Sequence, residues 1–373
     1  MAGFETAVAV DIDPDLSEIF ETNFPGSKRL LLDLATCKTD QILKACNAKP
    51  REIIGVIGGP PCQGFSPIGK REKGDPRNRL IGHFFRHVGA IQPAFFVLEN
   101  VPGILDKGYR QILRQGIKRV SAKYMIVGPI EFNAWEFGAA TRRARAIVIG
   151  LDPSRINSFE ADDLDELKIE AGKRPTVFEA IHDLPEPYPG LWREYGRTPE
   201  RGRKGDYARL ARALPKSGIG DNEVLKKMKR GSVSGFTETK HTPEVVARFE
   251  RTSPGRTETI SRCPRLTWEK PCTTLRAGTG KDKGKFQSIR PIHPEQDRVI
   301  TVREAARIQG FPDWFFFHKT KWHSFRMIGN SVSPKLSEAL MRFIASRLKS
   351  DGPPVNNRSG ESADRIGTSG HNR

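Results

Sequence analysis

Cys62 stands in Gly59-Pro60-Pro61-Cys62-Gln63-Gly64-Phe65-Ser66, a tight turn set directly after the apolar run Ile53-Ile54-Gly55-Val56-Ile57. That run reads as a buried strand which Gly58-Gly59-Pro60-Pro61 ends abruptly. A thiol carried there lies at the carboxyl edge of a parallel sheet, where open α/β folds bind their ligands. A local positive field would turn it into a thiolate and a strong nucleophile. A buried core cysteine is the plain alternative, although Pro61, Gln63 and the glycine and serine that follow make a poor core. Glu99 closes the run Phe95-Phe96-Val97-Leu98 in the same way, as a surface group, a helix cap or a carboxylate in the same crevice. Arg143-Ala144-Arg145 precedes Ala146-Ile147-Val148-Ile149, either as a charged strand start or as a paired grip on a phosphate or a pyrimidine edge. Thiolate addition to a pyrimidine C6 needs an acid or hydrogen-bond partner at N3 and cations at O2 and the backbone, and these residues supply that set. A pyrimidine inside a duplex must leave the stack to reach such a pocket.

The elements that position these groups are short. Strands are predicted over 7–10, 53–57, 95–98, 124–127 and 146–149, with helices over 77–92 and 109–121. Buried apolar strands separated by helices predict an α/β domain with a doubly wound, mostly parallel sheet covered on both faces. The texture changes near Leu151. Residues 160–170 carry six acidic side chains, read as solvated surface rather than a metal site, and twelve basic against five acidic residues lie between Arg193 and Gly231. This stretch reads as a second, loop-rich module facing a polyanion, with a disordered insertion as the alternative. Order returns at Thr301, with a helix over 302–309 ended by Gly310-Phe311-Pro312 and a longer one over 333–348. The tail from Ser350 has almost nothing to bury and is predicted to be disordered.

A chain of 373 residues, 37% hydrophobic, has room for one large domain and a smaller one. It has no apolar run of membrane-spanning length and no signal-peptide pattern at Met1-Ala2-Gly3-Phe4-Glu5, so the cytoplasm is the expected location. The cysteines at 37, 46, 62, 263 and 272 form no metal-binding pair and fit reduced thiols. A net charge of +18 points to a polyanionic partner.

Taken in order, the motifs resemble the DNA (cytosine-5)-methyltransferase family over most of residues 3–345. Gly59-Pro60-Pro61-Cys62-Gln63 is similar to its nucleophile loop, Glu99-Asn100-Val101 to its acidic motif and Arg143-Ala144-Arg145 to its arginine motif. The segment from Thr301 to Pro312 resembles the element after its target-recognition region, and Ile328-Gly329-Asn330-Ser331-Val332 its last motif. The resemblance implies a Rossmann-like fold that uses S-adenosyl-L-methionine to methylate C5 of a flipped cytosine in double-stranded DNA. Cys62 would attack C6, Glu99 would bind N3 and the exocyclic amine, and Arg143 and Arg145 would position the base and help keep the thiol ionised. Gln63 and Ser66 would lie near the DNA. Asp11, Ile12, Asp33, Leu34, Pro61, Leu80, Asn330 and Ser331 would form the cofactor pocket. The implied layout is a catalytic domain over 1–154, a recognition domain over 155–298 closed by the segment from Trp268 to Arg276, a return to the catalytic domain over 299–349, and the tail over 350–373. A monomer working beside a restriction endonuclease is implied too.

The chain departs from the family at Thr141, where glutamine is usual, and at Ala139-Ala140, in place of isoleucine and proline. The family's opening strand and Phe-x-Gly-x-Gly-Gly turn also have no counterpart before Ala2-Gly3-Phe4. The expectation is a start codon called too late or a truncated gene, and a chain that is unstable or poorly active as written, because its central strand's neighbours lose their partners. Two other readings stay open: cytosine methylation in transfer RNA, and a non-catalytic DNA-binding remnant.

Overall fold

The computed structural model describes residues 2–61, 79–187, 195–197, 205–277 and 290–349. Two groups of strands lie between residues 8 and 151. β1 (Val8–Asp11) pairs in parallel with β2 (Lys28–Leu31), and α1 (Pro14–Asn23) and α2 (Thr39–Cys46) follow them in turn. α1 starts where Asp13 accepts the Leu16 amide and Pro14 takes the first turn, a position that needs no N–H. The larger sheet has the order β3 (Gly55–Gly58), β4 (Phe95–Asn100), β6 (Ala144–Leu151), β5 (Met125–Asn133), with α3 (Leu80–Ile91) between β3 and β4 and α4 (Arg110–Lys118) between β4 and β5. Among the described residues β1 and β3 each have one strand partner, so the ladder is divided between them.

The sheet is mostly parallel in direction, as expected, with one reversed strand: β3, β4 and β5 run the same way. β3 and β4 are parallel, while β6 runs antiparallel to both β4 and β5. The physical reason is the connection from Asn133 to Ala144, which is too short for the crossover that parallel neighbours need. β5 is also longer than its predicted core at 124–127. Gly128-Pro129 looks like punctuation in the sequence, but the strand passes through it as an irregularity in register, with Gly128 at φ +95°.

Alternation along β4 and β6 builds two cores. Phe96, Leu98, Ala146 and Val148 face α3 and α4 with Phe85, Val88 and Leu113. Phe95, Val97, Ile147 and Ile149 face the other way, toward Leu336, Leu340 and Ile344 of a C-terminal helix, Pro334–Arg347, and Ile156, Phe159 and Leu164 join this side.

The described residues of the middle of the chain form short elements joined by loops. It contains α5 (Val177–Ile181), β7 (Tyr195–Arg197), α6 (Asp206–Ala211), α7 (Asn222–Lys229), β8 (Ser232–Ser234) and α8 (Pro243–Glu250), with β7 and β8 antiparallel. α9 (Val302–Gln309) matches its prediction: Thr301 and Glu304 form a capping box, and Gly310 ends the helix at φ +93°. α10 (Lys321–Asn330) and α11 (Pro334–Arg347) are the last helices among the described residues. The tail from Ser350 lies outside the described residues. No helix among the described residues is long and apolar enough to cross a membrane.

Candidate active site

The parallel ends of β3 and β4 bring Gly59-Pro60-Pro61 beside Glu99-Asn100. Asn100 is buried; its Nδ2 donates to the Pro60 carbonyl at 3.1 Å and its Oδ1 accepts from the Val101 amide at 2.9 Å. A Cβ placed on Gly59 would lie 2.9 Å from Glu99 Oε2, so the loop backbone passes directly over the carboxylate. The loop therefore leaves its strand with its base fixed against the acidic residue. Cys62, Gln63 and Ser66 lie outside the described residues.

β6 delivers the arginines to the same edge, because Asn100 is in register with Ala146. Arg145 Nε lies 2.6 Å from Glu99 Oε1. Burial raises the proton affinity of Glu99 above that of an ordinary glutamate, and the charges of Arg145 and Arg143 only partly oppose it. The carboxyl group thus keeps its proton to higher pH than an exposed glutamate does.

Arg143 is used differently. It is 1% exposed, and its Nη1 and Nη2 donate to the carbonyls of Leu275 at 2.9 Å and Gly329 at 2.5 Å. It joins β6 to the end of the middle region and to α10. The two segments are tightly apposed at Gly329, where a Cβ would lie 2.2 Å from the Ala277 nitrogen. Sequence reading grouped Arg143 with Arg145 and missed both this bridge and Asn100. The signal for Asn100 was its place directly after Glu99 at a strand end.

Of the residues expected to hold a cofactor, Asp11, Ile12, Asp33, Leu34 and Pro61 lie at or just beyond the carboxyl ends of β1, β2 and β3, while Leu80 starts α3 and Asn330 ends α10. Asp11 ends β1, and its Oδ1 accepts the Asp13 amide at 2.8 Å. Ile12 beside it is 68% exposed, a large apolar side chain left in the open. An Asp13–Arg326 ion pair at 2.7 Å ties this turn to α10, the helix that ends at Asn330 and leads into Ser331. The Asp33-Leu34 turn is tied to α3, the helix that begins at Leu80: Arg86 donates to the Leu34 carbonyl at 2.9 Å and to the Cys37 carbonyl at 3.2 Å. The buried His87 lies 3.1 Å from that same Leu34 oxygen and 2.9 Å from Thr39 Oγ1. Carboxylates for hydroxyls, an apolar side chain for a flat ring and fixed turn backbone together fit a nucleoside. No group of His, Cys, Asp and Glu suited to a metal ion occurs among the described residues.

The α/β sheet thus carries a carboxylate–guanidinium pair at its carboxyl edge, beside Gly59-Pro60-Pro61, the residues that lead into Cys62. A family model described as C-5 cytosine-specific DNA methylase matches residues 1–346. The chain is similar to the type II methyltransferase M.XorII of Xanthomonas oryzae pv. oryzae, 38% identical over 352 residues, covering 93% of this chain and 81% of that one. It is similar to the type II methyltransferase M.DdeI of Desulfomicrobium norvegicum, 30% identical over 382 residues, covering 92% and 84%. Among solved structures it resembles a proposed DNA modification methyltransferase encoded within an E. coli prophage, with a TM-score of 0.80, 38% identity and 93% of each chain covered. The chain belongs to the C-5 cytosine-specific DNA methylase family, whose members are methyltransferases dependent on S-adenosyl-L-methionine.

Proposed function

We propose that the chain methylates C5 of a cytosine swung out of a specific duplex DNA sequence, with Cys62, Glu99 and Arg145 at the reacting base. The observation that carries this reading is the Glu99–Arg145 pair at 2.6 Å, set against the base of the cysteine turn. The Cys62 thiolate adds to C6 while Glu99 hydrogen-bonds N3 and the exocyclic amine, which draws electron density toward N3 and makes C5 nucleophilic. Arg145 holds Glu99 in place and, with its charge, favours the thiolate. Arg143 acts at one remove, by fixing the segments that wall the crevice. Once C5 carries the methyl group, a base (water among them) removes the C5 proton, the C5–C6 double bond re-forms and the C6–S bond to Cys62 breaks.

Asp11, Ile12, Asp33, Leu34, Pro61, Leu80, Asn330 and Ser331 would hold S-adenosyl-L-methionine, which when bound supplies the methyl group. Asp11 suits the ribose hydroxyls and Ile12 a face of adenine. Gln63 and Ser66 would face the DNA strand, and the region over 155–298 would read the target sequence. The names of the type II relatives support a partnership with a restriction endonuclease.

The test is incubation with duplex DNA and a labelled methyl donor, followed by mapping of 5-methylcytosine. Methylation at one short sequence, abolished by Cys62→Ala, is expected, as is a covalent adduct at Cys62 with DNA carrying 5-fluorocytosine. Full transfer by the Cys62→Ala variant would overturn the assignment.

A further inference from the structure

We propose that Arg142, stacked on Trp135, is a contact to a DNA phosphate beside the target base; the proposal rests on the duplex-DNA reading above. β5 ends at Asn133 and β6 begins at Ala144, so the connection between them hangs from the same sheet edge as Glu99. Its backbone is fixed on both sides of Arg142. The Arg142 amide donates to the Cys272 carbonyl at 2.8 Å, and Thr274 Oγ1 donates to the Arg142 carbonyl at 2.7 Å. Thr141 and Arg143 on either side are buried, and Arg142 alone of the three is exposed.

The guanidinium is held but not neutralised. Its Cζ lies 5.0 Å from the Trp135 ring centroid, and among the described residues it has no carboxylate or carbonyl partner. The indole is anchored through Nε1, which donates to the Pro175 carbonyl at 2.8 Å. A second cation, Arg174, lies 5.4 Å from the same ring, but its Nε donates to the Ile169 carbonyl at 3.0 Å and its Nη1 is 3.9 Å from Glu136. Arg145 is likewise committed, to Glu99. Among the described residues, Arg142 thus differs from its neighbours in presenting a charge with no acidic partner at the sheet edge that carries Glu99.

Stacking occupies the face of a guanidinium and leaves its N–H donors pointing outward in the plane, the geometry that meets phosphate oxygens in pairs. The ring restricts the side chain, so less rotamer freedom is lost on binding. The competing role is a surface arginine that only shields Trp135.

The two roles separate in a salt titration of duplex binding by the full chain. Arg142→Gln should weaken binding by about threefold to tenfold at low salt, equally for target and unrelated duplexes, and lower the slope of log affinity against log salt by about one. Arg142→Lys should keep the slope and recover part of the affinity. Trp135→Leu should weaken binding with the slope kept, since the charge remains and only its placement is lost. Unchanged affinity and slope in Arg142→Gln would overturn the proposal, and a loss confined to one base pair of the target would show base reading instead. A wild-type chain that binds no duplex overturns this inference together with the duplex reading; a wild type that binds normally, with an unaltered Arg142→Gln, overturns this inference alone.

Discussion

Glu99 Oε1 and Arg145 Nε meet at 2.6 Å across β4 and β6, strands that reach this edge from opposite directions. Both side chains are largely buried, so neither charge is well hydrated and each depends on the other.

This gives Glu99 a pH signature. Burial raises its folded-state pKa above the ordinary 4.5, with Arg145 and Arg143 opposing. A raised value means a contribution to stability that is present below the unfolded pKa and lost as pH rises through the folded one. The denaturant midpoint of the wild type should therefore fall relative to that of Glu99→Gln as pH rises from about 4 to about 8. Parallel midpoints across that range would mean that Glu99 titrates as it does in the unfolded chain. Methyl transfer by Glu99→Gln should drop by roughly a hundredfold or more at every pH.

Gly59 should tolerate no side chain. Alanine there would place Cβ 2.9 Å from Glu99 Oε2, and the carboxylate cannot retreat without leaving Arg145. Gly59→Ala is expected to cost about a hundredfold in kcat through a displacement of under about 1 Å. Gly82→Ala in α3 is the contrast: its nearest neighbour would be 3.8 Å away, and a helix-interior glycine gives up about 1 kcal/mol against alanine. That variant should be slightly more stable. Equal activity loss in both would point to a general sensitivity to added side chains and not to the Glu99 contact.

The positions of Glu99, Asn100, Arg143 and Arg145 were legible because these residues sit next to one another at strand ends. Glu99-Asn100 and Arg143-Ala144-Arg145 announce themselves where an apolar run stops or starts, and α9 was marked by Thr301, Glu304 and Gly310. β2 was not legible, because Lys28-Arg29-Leu30-Leu31 is four residues long and half of them are cations. α1 and α2 have caps and mixed polarity but no long apolar stripe. The role of Arg143 was invisible for a different reason: its acceptors are 132 and 186 residues away in sequence, and no local pattern encodes a partner at that distance.

That distant bridge makes Arg143 more a matter of stability than its neighbour. Arg143→Ala would leave the Leu275 and Gly329 carbonyls without these donors in a closed interior, at a cost of about 3 kcal/mol. Lysine is a point charge and cannot serve both oxygens in the way a planar fork does, so Arg143→Lys should remain destabilised. Arg145→Ala should lose activity by a larger factor for a smaller shift in midpoint. Urea unfolding beside methyl-transfer assays distinguishes the two, and the reverse ranking would show that Arg143 faces the base and Arg145 the scaffold.

The divided ladder sets the last expectation. β4 and β6 have partners on both sides and are buried along nearly their whole length, whereas β1 and β3 have a single strand partner each among the described residues and are only partly buried. Ile57 on β3 is 61% exposed and Leu31 on β2 48% exposed, so the apolar contacts that would hold these strands shut are also fewer. Opening should therefore be local at Val8–Asp11, Lys28–Leu31 and Gly55–Gly58, and should not require the whole domain to unfold. Amide hydrogen exchange followed by mass spectrometry should find peptides over β1, β2 and β3 exchanging well before those over β4 and β6. Duplex DNA and methyl donor together should slow β3, because Cys62 would be engaged four residues beyond its end. Equal protection of all six strands in the free chain would mean that the two ladders open as one cooperative unit, with the edges of β1 and β3 held by contacts other than strand pairing.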